Sequence, residues 1–161
     1  MQQPLRRGGF VVVLVLLAAL AVGLTFGAVS SASPSAHAAK RRTLSLSGTA
    51  YLHLKRKSGN VLYEKGTATG TLPGTVSARF VTGLTKVTGT VTIYPYSGGS
   101  LTLTAVGYPQ STGTVVRFNG SIAVRGGTGR FRNALGSGTL SGTANRRTWA
   151  VTVNARATIT Y

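Results

Sequence analysis

The sequence predicts an all-β domain, eight short strands closed into an antiparallel barrel. Apolar or small residues alternate with polar ones at period two from residue 43 to the C-terminus, the pattern of half-buried strands. Turn-forming Gly, Asn, Ser and Pro residues interrupt that pattern at short intervals, too closely spaced for helices to intervene. Strands with one apolar face either pack as two sheets or curl into one closed sheet, and closure removes the edges that promote aggregation. A two-sheet β-sandwich is the alternative that patterning alone leaves open.

Ahead of this domain, residues 1–38 read as a helical secretory signal. Arg6 and Arg7 give a positive start, residues 10–29 are almost unbroken apolar sequence, and Pro34 with its neighbouring serines ends the run. Ala36-His37-Ala38 places small residues at the two positions a signal peptidase reads. Cleavage is expected after Ala38, giving a secreted, extracellular chain with a short basic linker at 39–42 and one domain at 43–161. The apolar run is about long enough to cross a bilayer. Its retention as a membrane anchor is therefore the alternative, and the chain would be anchored through it alone.

In residues 43–54, Leu44, Leu46, Gly48, Ala50, Leu52 and Leu54 alternate with Thr43, Ser45, Ser47, Thr49 and His53. Lys55-Arg56-Lys57-Ser58-Gly59-Asn60 is expected to reverse the chain, with Gly and Asn taking positive φ. The second strand, 61–72, is weaker and points Leu62, Glu64, Gly66, Ala68, Gly70 and Leu72 inward. Residues 75–81 contribute Val76, Ala78 and Phe80, residues 86–94 Val87, Val91 and Ile93, and residues 100–106 Leu101, Leu103 and Ala105. Residues 113–125 offer Val116, Phe118, Ile122 and Val124, and residues 137–144 offer Leu140 and Ala144. The last strand, 148–161, turns Trp149, Val151, Val153, Ala155, Ala157, Ile159 and Tyr161 inward. Helix is limited to a single turn within 131–135. Glycines recur at inward parity (48, 66, 70, 89, 120, 138, 142), where they mark bends and close backbone approaches. The second reading of these glycines is room left for an apolar ligand.

Charge and residue inventory narrow the chemistry. The chain has 18 Lys plus Arg against one acid, Glu64. Without Arg6 and Arg7, sixteen cations and that one acid leave +15. Such an excess favours anionic partners, whether teichoic acids, phospholipid headgroups, acidic polysaccharides or extracellular DNA. No basic-aromatic pattern reaches a specific nucleic-acid motif. Cysteine is absent, which excludes disulfides and thiolate chemistry. A single carboxylate excludes two-carboxylate glycoside hydrolysis and carboxylate cages for calcium. With no aspartate and only His53 beyond the signal, a Ser-His-Asp triad would need Glu64 in place of its aspartate. No metal or cofactor is expected.

Residues 126–140 concentrate glycines around one aromatic: Gly126, Gly127, Thr128, Gly129, Phe131, Ala134 and Gly136. This run resembles the GGTG-x-F-x-x-A-x-G loop of the allene oxide cyclase and dirigent barrel family. The resemblance implies an eight-stranded antiparallel barrel, with the glycines forming a tight turn after a strand and Phe131 plugging one end. Dirigent-like barrels often trimerise, so a homo-oligomer is compatible with it. The acids that dirigent members place in their pocket have no counterpart here, so those plant activities do not carry over.

Two functions follow as expectations. The first is a secreted, non-catalytic binding module that holds anionic envelope or matrix polymer on its basic exterior. The tyrosines of Tyr94-Pro95-Tyr96 and Tyr108, with Arg130, Arg132, Arg146 and Arg147, are candidate contacts for it. The alternative is a carrier, or an isomerase- or cyclase-like barrel, whose interior takes a small hydrophobic ligand. Its candidate ligand-binding residues are Glu64, Phe80, Phe118 and Trp149, with Glu64 the one weak catalytic candidate. A lone carboxylate in an apolar interior is costly unless paired. Pairing with Lys55, Lys57 or Lys65 at the rim is therefore the structural expectation for Glu64.

Overall fold

The computed structural model describes residues 41–161; the expected signal peptide at 1–38 and the expected cleavage after Ala38 lie outside the described residues. The alternating sequence forms β1 (Thr43–Ser58), β2 (Val61–Gly70), β3 (Gly74–Thr82), β4 (Val87–Pro95), β5 (Ser100–Pro109), β6 (Val115–Thr128), β7 (Leu135–Asn145) and β8 (Val151–Thr160). Each strand pairs antiparallel with the next, and β8 pairs back onto β1 from Thr43 opposite Thr160 to Leu52 opposite Val151. The sheet is a closed eight-stranded barrel, not a sandwich, and no strand edge is left open among the described residues. Eight strands enclose an interior that side chains can just fill or that can hold one small ligand.

An up-and-down order sends alternate connections to opposite ends. The β1–β2, β3–β4, β5–β6 and β7–β8 turns share one end with Trp149. The β2–β3, β4–β5 and β6–β7 connections share the other end with Arg42 and Tyr161, whose backbones bond each other. Neighbouring loops are tied at each end, Thr82 N–H to Asn60 O and Arg146 N–H to Thr114 O at the first, Tyr96 N–H to Pro73 O at the second.

The end carrying Tyr161 is filled. Leu101, Ile159, Phe131 and Ala134 are completely buried there, and Phe131 meets the Tyr161 ring at 5.4 Å. Arg130 lies over the outer face of Phe131 at 4.7 Å and donates to Ser97 Oγ at 2.7 Å, which clamps the plug to the β4–β5 turn. The expected end closure by Phe131 is thus observed, but the glycines before it do not form the turn. Gly126, Gly127 and Thr128 continue β6 past a bulge and pair with Thr102, Leu101 and Ser100. The reversal itself starts at Gly129 (φ 59°) with one 3-10 turn, Gly129–Phe131. Gly127 is needed for approach, because a Cβ there would strike the Ser100 carbonyl.

The expected turn at residues 55–60 is shorter than its composition suggests. β1 runs to Ser58, and only Gly59 (φ 58°) and Asn60 turn the chain. A bulge between Leu54 and Arg56 absorbs Lys55. Strand parity therefore changes within the basic run, a change that period-two reading cannot register. Trp149 also moves: it precedes β8 and lies in the β7–β8 loop.

Candidate functional site

The barrel is hollow above its filled end. A cavity of about 520 Å³ runs from Leu46 and Leu72 up to Gly83, Leu84, Arg146 and Trp149 in the loops of the opposite end. Its wall is apolar, with Val91, Leu103, Ala105, Ile122, Val153 and Ala155 among the lining residues. Partly exposed inward side chains report this hollow. Leu101, Phe131 and Ile159 at the filled end have no accessible surface, whereas Phe80, Val91, Ile93, Phe118 and Val153 stay half-buried although they point inward. Their remaining surface faces the cavity.

The inward glycines serve the wall in two ways. At Gly48, Gly66, Gly120 and Gly138 a Cβ would run into a carbonyl of the neighbouring strand, at Thr69, Tyr51, Val106 and Arg156 respectively. Those positions allow tight coiling of the sheet. Gly89 and Gly142 are also seats for aromatic rings, and at Gly142 a Cβ would in addition strike the Thr152 carbonyl. Phe80 lies across Gly89, its β4 partner, and Phe118 across Gly142, its β7 partner. With side chains at those glycines, the two rings would be displaced from the wall.

Glu64 is the one ionisable side chain inside. On β2 it faces Leu54 of β1 and Ala78 of β3, and cross-strand partners share a face. It is 1% exposed, it lines the cavity, and neither carboxyl oxygen has a hydrogen-bond partner among the described residues. Pairing with Lys55, Lys57 or Lys65 at the rim is therefore not what forms. Lys65 points outward from the next position, and Lys57 is engaged elsewhere. Burial pushes the Glu64 carboxyl up to about 7, because the apolar wall disfavours the ionised form and no cation compensates. Near neutral pH this group is both a hydrogen-bond donor and an acceptor.

Trp149 stands at the mouth, half-buried and with φ 57°, the only non-glycine residue with positive φ among those described. Asn145 Oδ1 accepts from the amides of Arg147 and Thr148, and the Trp149 amide donates to the Asn145 carbonyl. These bonds hold the loop that places Trp149 in the cavity lining. Lys57 Nζ lies 4.4 Å from the indole centroid. Because of the β1 bulge, Lys57 pairs with inward-facing Leu62, which brings its stem to the rim. All four interior candidates, Glu64, Phe80, Phe118 and Trp149, thus line one cavity.

The sequence did not show that Lys57, Leu84 and Arg146 gather at the mouth. Lys57 was hidden by the bulge, while Leu84 and Arg146 lie in loops where parity has no meaning. The exterior candidates are not brought together: Tyr94, Tyr96, Arg130 and Arg132 belong to the filled end, and Tyr108, Arg146 and Arg147 to the open one. His53 is exposed, as its parity implies. Compared with known proteins, the chain matches no family model, no curated protein and no solved structure.

Proposed function

We propose that this chain is a binding barrel for one small, predominantly apolar molecule that presents a single polar group to Glu64. The observation that carries this reading is an open apolar hollow of about 520 Å³ whose one buried ionisable lining residue is a carboxyl group without a partner among the described residues. Cavities of this size and lining suit drug-sized ligands. A buried polar group left without a hydrogen bond is destabilising, and a ligand hydroxyl, amide or amine supplies the bond. Binding is the favoured role, because Glu64 is the one acid in a lining that is otherwise largely apolar. The resemblance of residues 126–136 to the allene oxide cyclase and dirigent barrels belongs to this proposal, as does export from the cell.

Titration with an environment-sensitive apolar fluorophore tests it. Saturable uptake is expected for the natural sequence and loss of uptake for Ala105→Phe, which places a ring in the hollow. Equal uptake by a stably folded Ala105→Phe protein would remove the cavity as the binding site.

A second reading rests on a different observation. All fifteen cations from Arg41 to Arg156 are exposed, and none of them has an acidic partner among the described residues. An exterior of this kind supports attachment to an anionic envelope or matrix polymer, with or without an occupied cavity. Arginine-to-serine changes on the exterior test it through weakened polymer retention.

A further inference from the structure

The open end combines three features that the filled end does not. First, the β3–β4 loop presents Leu84 with its side chain fully exposed, at the margin of the cavity mouth. Second, the sole tryptophan of the chain is held at the same mouth in a left-handed backbone conformation that L residues rarely adopt. Third, cations surround both: Arg56 and Lys57 from the end of β1, Lys86 from the β3–β4 loop, and Arg146 and Arg147 from the β7–β8 loop. All five are exposed, and no acid lies on the outer surface to offset them.

An apolar tip, an indole and a ring of Lys and Arg are the composition of a surface that rests at a lipid headgroup boundary. The apolar group enters the acyl region, the indole sits at the polar boundary, and the cations meet anionic headgroups. An anionic polysaccharide or nucleic acid would use the cations alike but would leave Leu84 in water. The cavity opens within this surface, so a ligand leaving a bilayer would reach Glu64 without crossing water.

We propose that the open end of the barrel docks on anionic lipid bilayers and that the cavity exchanges its apolar ligand there. The exchange half rests on the ligand-binding reading above; the docking half stands without it. Docking needs no covalent step and no large movement, because mouth, indole and tip already share one end of the barrel.

Vesicles containing a minority of anionic phosphatidylglycerol in phosphatidylcholine, with phosphatidylcholine alone as the control, test the docking. With protein isolated from its host, partition onto the anionic vesicles is expected to exceed partition onto the control by on the order of tenfold or more. The fluorescence of Trp149, the only tryptophan, is expected to shift to the blue and to be quenched by bromine-labelled acyl chains. Leu84→Asp is expected to weaken partition roughly tenfold and to reduce quenching. Equal partition onto both vesicle types, or anionic binding with Trp149 unquenched and Leu84→Asp without effect, would overturn the proposal. The second outcome would assign the charge to a soluble anionic polymer. Fluorophore uptake without vesicle binding removes docking alone, and vesicle binding without uptake removes the ligand reading alone.

Discussion

Replacing Glu64 with glutamine tests the most unusual feature of the barrel interior. Glutamine keeps the side-chain length and polarity but cannot ionise. In the folded natural protein the carboxyl group titrates at about 7 instead of its ordinary 4.5, because burial among apolar neighbours opposes its charge. The unfolded chain releases this proton at the ordinary value, so between the two values the folded state binds more protons than the unfolded one. Stability therefore falls as pH rises through this window. It is fully present below about 4.5 and has lost the contribution once pH passes the folded value. At about 1.4 kcal/mol per pH unit, the loss amounts to about 3 kcal/mol. For a domain of this length that corresponds to on the order of 10 °C in melting temperature. Reversible urea unfolding at pH 5 and pH 8 measures it, and refolding from urea also empties the cavity. The two proteins are expected to be similar at pH 5, with Glu64→Gln more stable at pH 8 by about 3 kcal/mol. Parallel pH profiles for the two would show instead that water in the hollow solvates the carboxylate and that burial does not oppose its charge.

Three other changes follow from the geometry. Phe131→Ala empties the plug at the filled end and is expected to cost about 3–5 kcal/mol in denaturant unfolding; a loss below about 1 kcal/mol would mean that Tyr161 and Leu101 close the end unaided. Gly107 and Gly120 face each other across β5 and β6, yet their alanine variants should differ. A Cβ at Gly120 would strike the Val106 carbonyl, whereas one at Gly107 makes ordinary contact with Phe118 at 3.7 Å. Gly120→Ala should destabilise by about 1–3 kcal/mol and Gly107→Ala by less than about 0.5 kcal/mol, a contrast that thermal unfolding reads directly. Retention on a sulfonate matrix should fall steeply with salt, and Arg146→Ser with Arg147→Ser should elute measurably earlier; elution unaffected by salt would contradict a charge-driven exterior.

Much of the fold was legible because strand periodicity is local. Alternation in residues such as Val116, Phe118, Ile122 and Val124 identifies the inner face without knowledge of the partner strands. Closure into a barrel depends on pairing between Thr43 and Thr160, which no local pattern encodes, and the glycine-rich run around Phe131 supplied that step by resemblance. The interior position of Glu64 was legible by parity, but its isolation was not. Six residues of turn composition at 55–60 conceal a bulge at Lys55, and that bulge carries Lys57 to Trp149 and away from Glu64. Whether inward glycines empty or seat the interior was likewise invisible, since only the strand register shows Phe80 on Gly89 and Phe118 on Gly142.

Native mass spectrometry of the protein isolated from its own host shows whether the barrel interior is a ligand site. A reproducible added mass of one small apolar compound is expected, and its loss in Ala105→Phe. A bare chain mass, from a protein that also fails to take up apolar compounds offered in excess, would contradict that expectation.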